Sequence, residues 1–143
     1  MPFAVPLDRR AFLRQGAGAL GVLGLARLAH ADANRVVREF RLVAAPTDIE
    51  VAPGQIWSTW AYNGQVPGPT IRATQGERIR VVLENRLDVP TTIHWHGVPL
   101  PNAMDGVPDL TQEPGPPGGS FAYEFDANVP GTYFYHSHVG LQL

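Results

Sequence analysis

Two short stretches carry histidine at every second position: His94-Trp95-His96 in TTIHWHG (91–97) and His136-Ser137-His138 in TYFYHSH (132–138). On a β-strand, residues i and i+2 point to the same face, about 6.6 Å apart at roughly 3.3 Å per residue. His94 and His96 then share a face and leave Ile93 and Trp95 on the other. His136 and His138 likewise share a face, with Tyr133, Tyr135 and Ser137 opposite. Were the two strands neighbours, four imidazoles would converge in a small volume. Neutral imidazoles without carboxylates or thiolates suit copper or zinc rather than calcium or magnesium, and spacing alone does not choose between the two. A single His-x-His pair is an ordinary feature of strands. The metal reading rests on every histidine beyond residue 31 falling into these two pairs. Nearby, Asp105 in Ala103-Met104-Asp105-Gly106 reads by itself as a turn-forming Asp before glycine.

Strands must position these residues. Past residue 35 no segment holds a helical apolar period over two turns, while several alternate with period two. The pattern predicts strands over residues 36–45, 56–64, 76–87, 91–97, 120–127 and 132–138. In the third, Ile79, Val81 and Leu83 alternate with Arg78, Arg80, Val82 and Glu84; in the fifth, Phe121, Tyr123 and Phe125 alternate with Ala122, Glu124 and Asp126. Asn63-Gly64, Val66-Pro67-Gly68-Pro69 and Pro130-Gly131 are turns, and residues 98–119 form a proline-rich loop without regular structure. Short strands at regular spacing with turn signals between them predict an all-β, Greek-key β-sandwich.

The 143 residues make at most one domain, and Gly and Pro together supply about a fifth of them. With no cysteine the chain has no disulfide, thiolate ligand or cysteine nucleophile. All eleven basic residues are arginine, and no basic cluster follows residue 41, so a nucleic-acid surface is not expected. Residues 1–31 read as an export signal: Arg9-Arg10, a short Ala/Gly/Leu run and an Ala29-His30-Ala31 cleavage site. The run is too short and glycine-rich for a stable membrane span. Arg9-Arg10 followed by Ala11-Phe12-Leu13 resembles a twin-arginine translocation signal, which implies export to the periplasm or cell exterior. Cleavage after Ala31 leaves seven arginines against twelve acidic residues, a net of about −5.

The HWHG and YHSH stretches resemble the N-terminal copper motifs of the multicopper oxidases. So do YNGQVPGPTIRATQGERIRVVLENRL (62–87), MDGVPDLTQ (104–112) and PGGSFAYEFDA (117–127), in the family's order. The resemblance spans about residues 55–143 and implies a cupredoxin-like (plastocyanin-like) sandwich with copper as the metal. It implies that His94 ligates a type 2 copper, His96 and His136 one type 3 copper, and His138 the other. Trp95 and Gly97 are then packing and turn residues, and Tyr135 and Ser137 packing or supporting groups. Asp105 corresponds to an acid that assists proton delivery during O2 reduction, a catalytic role that suits a carboxylate held by a tight turn.

A trinuclear site in the family takes eight histidines, and the two motifs supply four. The resemblance implies that a C-terminal cupredoxin domain supplies the rest, together with a type 1 copper whose ligand set needs a thiolate. The expectation is therefore an N-terminal cupredoxin domain over residues 32–143, without its closing strand and preceded by a signal peptide. It belongs to an exported oxidase that reduces O2 with electrons from a reducing substrate, and the chain alone is expected to be inactive. A stand-alone periplasmic copper-binding protein without catalysis is the alternative, and a half-enzyme completed by a partner chain is a third reading.

Overall fold

A computed structural model describes residues 36–140. The expected signal segment, with Arg9, Arg10 and His30, lies outside the described residues. Among the described residues no helix is long and apolar enough to cross a membrane. Among the described residues, six strands and one 3-10 turn make up the regular structure: β1 (Val37–Ala52), β2 (Gln55–Tyr62), β3 (Arg78–Asn85), β4 (His94–His96), η1 (Asn102–Met104), β5 (Ser120–Asp126) and β6 (Phe134–His136).

The strands form two sheets, one in the order β2-β1-β3-β5 and one of β4-β6. In the first, β1 runs parallel to β3 and antiparallel to β2, and β3 runs antiparallel to β5. This is the expected all-β, cupredoxin-like sandwich, and its sheets are not closed. The main departure is β1, expected to end at Ala45 but running to Ala52. Pairing with β3 stops at Ala44↔Asn85, and beyond it β1 pairs with β2 alone, Pro46 opposite Trp60. With one neighbouring strand instead of two, the missing N–H of Pro46 is easily accommodated. The proline-rich loop is likewise not wholly irregular, since it contains η1.

Pleating sorts the side chains. Along β3 the partly buried Arg78, Arg80, Val82 and Glu84 alternate with the buried Ile79, Val81, Leu83 and Asn85. Beside them on the same face, from β1 and β5, are Leu42, Ala44, Tyr123 and Phe125, all at most 4% exposed. The other face of this sheet is a cross-strand lattice of charges: Arg80 bonds Glu124 at 2.9 Å, Arg78 bonds Asp126 at 2.9 Å, and Arg41 pairs with Glu84. Pairs this exposed contribute about 0–1 kcal/mol each, so apolar burial and not the lattice holds the sheet to its partner.

The second sheet closes the core with aromatic rings. Trp95 of β4 is 4% exposed, with its ring 5.6 Å from Tyr123 and 5.0 Å from Phe125. Tyr135 of β6 packs 5.4 Å from Tyr62 and donates its hydroxyl to the Pro69 carbonyl at 2.8 Å. The hydroxyl of Tyr123, fully buried, accepts the N–H of Ile93 at 2.8 Å, tying the residue before His94 to the centre of β5.

Burial pushes Tyr62, Tyr123 and Tyr135 above the ordinary phenol value of 10.0, the latter two to about 12. The unfolded chain ionises these phenols near 10, while the folded chain keeps them neutral to higher pH. Their contribution is therefore complete below about pH 10 and is lost as pH rises toward about 12. In an alkaline titration, tyrosinate absorbance from these residues should rise together with the loss of β-sheet circular dichroism. Ionisation of all four tyrosines before any loss of structure would contradict this packing.

Candidate metal centre

The two histidine strands are neighbours. β4 and β6 pair antiparallel with His94 opposite His136, Trp95 opposite Tyr135 and His96 opposite Phe134. Because Trp95 and Tyr135 turn to the core, the imidazoles turn outward together. The His94 ring lies 5.6 Å from His96, 5.3 Å from His136 and 5.3 Å from His138, at the middle of the group. His94, His96 and His136 can each offer one ring nitrogen such that the three lie within 4.8 Å of one another. His138 is outside that triplet, its ring 6.1 Å from His136. His94 and His136 are partly buried; His96 and His138 are exposed.

Hydrogen bonds set which nitrogen of each ring is free. His94 Nδ1 lies 2.7 Å from the carbonyl oxygen of Asp105. A carbonyl only accepts, so Nδ1 carries the proton and the lone pair is on Nε2. The same logic applies to His136, whose Nδ1 donates to the Ser137 carbonyl at 2.7 Å. Its Nε2 then faces His96 Nδ1 at 3.5 Å. Two nitrogens each about 2.0–2.1 Å from one ion lie roughly 3–4 Å apart, so this spacing fits a shared metal ion. The donor set, imidazole without thiolate, fits copper or zinc among the common metals. His96 is also stacked on Phe134, ring centroids 4.4 Å apart and 18° from parallel, a contact the sequence reading missed.

Asp105 lies beside His94, and its most direct contact is made by the backbone. Its carbonyl orients His94, and its carboxylate oxygen lies 3.3 Å from the same Nδ1. Both the turn and the proximity to the cluster are therefore real. The turn is seated by Gly106, at φ +75°, where an added Cβ would lie 1.8 Å from the Ile93 carbonyl oxygen and 3.0 Å from the His94 nitrogen. That near-contact with β4 admits no side chain, and it brings Asp105 alongside His94. Gly97 takes φ +77° in the turn that ends the motif, as expected.

Alanine at position 106 meets both a left-handed backbone and the β4 main chain. G106A should lower unfolding free energy by more than about 2 kcal/mol in urea denaturation. Ala at the exposed Gly118, also at positive φ but with open space around it, should cost less.

Comparison with known proteins agrees with this geometry. The family profile described as "Multicopper oxidase" matches residues 44–143. The chain is 44% identical over 126 residues to multicopper oxidase MmcO of Mycobacterium tuberculosis, covering 88% of this chain and 24% of that protein. It is 40% identical over 144 residues to copper resistance protein A of Pseudomonas syringae pv. tomato, covering 94% of this chain and 24% of that one. Among solved structures, a multi-copper oxidase from Pseudomonas thermotolerans superposes with TM-score 0.71 at 47% identity, covering 73% of this chain and 26% of that chain. The laccase of Botrytis aclada superposes with TM-score 0.72 at 40% identity, covering 76% and 20%. The chain thus spans about a quarter of the length of the curated relatives it matches. With the profile match running through both His-x-His motifs, this chain belongs to the multicopper oxidase family, whose members are oxidoreductases that use copper.

Proposed function

We propose that residues 32–143 are the N-terminal, copper-binding domain of an exported multicopper oxidase. Its four histidines supply half the ligands of a trinuclear copper site that reduces O2 to water. The observation that carries this reading is the convergence of His94, His96 and His136, with nitrogens within 4.8 Å. His96 and His136 would hold one type 3 copper between them, a reading supported by their 3.5 Å nitrogen separation. His94, whose Nε2 is left available by the Nδ1 bond, would hold the type 2 copper, and His138 the second type 3 copper. The other four ligands, and the type 1 copper that receives electrons, belong to a C-terminal cupredoxin domain, because a type 1 site needs a thiolate and this chain has no cysteine. The reducing substrate meets that domain rather than this one.

Copper bound here would supply the redox chemistry, the four electrons that with four protons take O2 to two waters. The protein's own part is to orient ligands and move protons. The Asp105 carbonyl keeps His94 in the tautomer that presents Nε2 outward, and supporting hydrogen bonds of this kind also raise ligand basicity. The Asp105 carboxylate, half-buried beside His94, delivers protons to the site. An open groove of about 990 Å³ lies between β2 and β6, lined by Val51, Trp57, Trp60, Phe134 and Tyr135. It offers the rest of the oxidase an apolar surface against which to complete the sandwich. Export runs by the twin-arginine route to the periplasm or cell exterior, on the strength of residues 9–31.

The 143-residue chain should bind Cu2+ in a titration. His96→Ala/His136→Ala should weaken binding by at least the ~10–100-fold that loss of a mere supporting partner costs. The copper-loaded chain should show no oxygen uptake with a phenolic reductant. Measurable turnover by the chain alone would overturn the division of the site between two domains.

A further inference from the structure

The β4–β6 ladder has three residue pairs and ends at His94↔His136. It does not reach His138, yet the His138 ring lies 5.3 Å from His94, close enough to join the cluster. Past the last rung, a pair of hydroxyls continues the contact: Thr91 Oγ1 and Ser137 Oγ are 3.1 Å apart. Ser137 is tied into the histidine strand on both sides. Its carbonyl accepts His136 Nδ1–H at 2.7 Å, and its hydroxyl accepts the N–H of Val139 at 3.4 Å.

Thr91 is held from behind. It is 1% exposed, and its backbone exchanges hydrogen bonds with Gly115 at 3.0 and 2.9 Å. The Gly115 carbonyl also accepts the side-chain amide of Asn85 at 2.9 Å. Asn85 ends β3 at 2% exposure, and its amide further binds the Val89 carbonyl while its oxygen accepts the Leu87 N–H. A polar chain, buried at Asn85 and Thr91 and partly buried at Gly115 and Ser137, therefore runs from the four-stranded sheet to the histidine strand. Buried polar groups cost free energy unless satisfied, and a satisfied network fixes one arrangement of the groups it joins.

We propose that Thr91 and Ser137 are positioning residues for the metal centre. Their hydroxyl pair extends the register beyond the last ladder rung and sets His136 and His138 against His94. This rests on the copper-binding reading above. A valine at 91 keeps the shape and removes the hydroxyl, and an alanine at 137 removes the other half.

The test is Cu2+ titration of the full chain as wild type, T91V, S137A, T91S and L83A, with chemical unfolding of the same samples. Leu83 is a core residue whose side chain has no polar group to join the hydroxyl pair, and it serves as the stability control. T91V and S137A should each lose about 10–100-fold in Cu2+ affinity. T91S, which restores a hydroxyl, should bind as the wild type does, and L83A should be less stable yet bind with undiminished affinity while folded. The electron paramagnetic resonance signal of bound Cu2+ should change in T91V and S137A and be restored in T91S. Should T91V fail to fold, S137A and T91S decide. Wild-type affinity in both hydroxyl-deleted variants, no restoration by T91S, or an equal loss in L83A would each overturn the positioning role. A wild-type chain that takes up no Cu2+ overturns the copper reading and this one with it, whereas normal uptake with unaffected variants overturns this one alone.

Discussion

Everything at the histidine cluster depends on the pairing of His94 with His136 across two short antiparallel strands. A strand shifted by one residue exchanges its two faces. Slipping β4 in this way would turn Trp95 and Ile93, 4% and 0% exposed, out to water and drive two imidazoles into the core. Burying a large apolar side chain is worth about 1.5–3 kcal/mol, so the slip would forfeit two such contributions and add the cost of desolvating the rings. The core thus enforces the register, and the register makes the site. Three residues per strand are enough because the rest of the fold fixes what those residues pair with.

The four-stranded sheet is best understood as the platform for that pairing. Its inner face offers Tyr123 and Phe125 to Trp95, and the Tyr123 hydroxyl takes up the N–H of Ile93, the residue before the first ligand. From the other side, the loop through η1 delivers Asp105 to His94, and only glycine at 106 lets the backbone come so near. Ring orientation at His94 is therefore set by a backbone carbonyl, which substitution at position 105 does not remove. The carboxylate of Asp105 lies 3.3 Å from the same Nδ1, so backbone and side chain of one residue meet His94 through different atoms.

Much of this was legible in the residues themselves. The alternation in 76–87 and 120–127 identified β3 and β5 with the correct inward faces, because a half-buried strand writes its burial directly into a period of two. The two His-x-His motifs identified the cluster for the same reason. What local pattern could not show is anything that depends on partners distant in sequence. Pro46 looked like the end of a strand, since nothing nearby reveals that β1 has lost its second neighbour there. Thr91 looked like an ordinary β-branched strand residue, since its hydroxyl partner is 46 positions away. Phe134 gives no sign in the local pattern that it covers His96 on an exposed surface, since that ring lies on another strand.

Donor counting bears on how such a site is used. Three nitrogens within 4.8 Å can serve one ion well, with His138 beside them as a fourth imidazole. Two of the rings are exposed, so one side of any ion held there faces outward. A cluster of several ions would need more imidazoles than His94, His96, His136 and His138 provide. Strands that place histidines at every second position leave room between them for ligands arriving from the opposite direction. The same surface continues into the groove bordered by Trp57, Trp60 and Phe134, which keeps large apolar groups in water. A patch of that kind beside a half-exposed ligand set is what one side of a buried interface looks like before its other side is added. On the proposed reading, the half-exposed imidazoles and the uncovered aromatic groups share one explanation, a metal centre built where two domains meet.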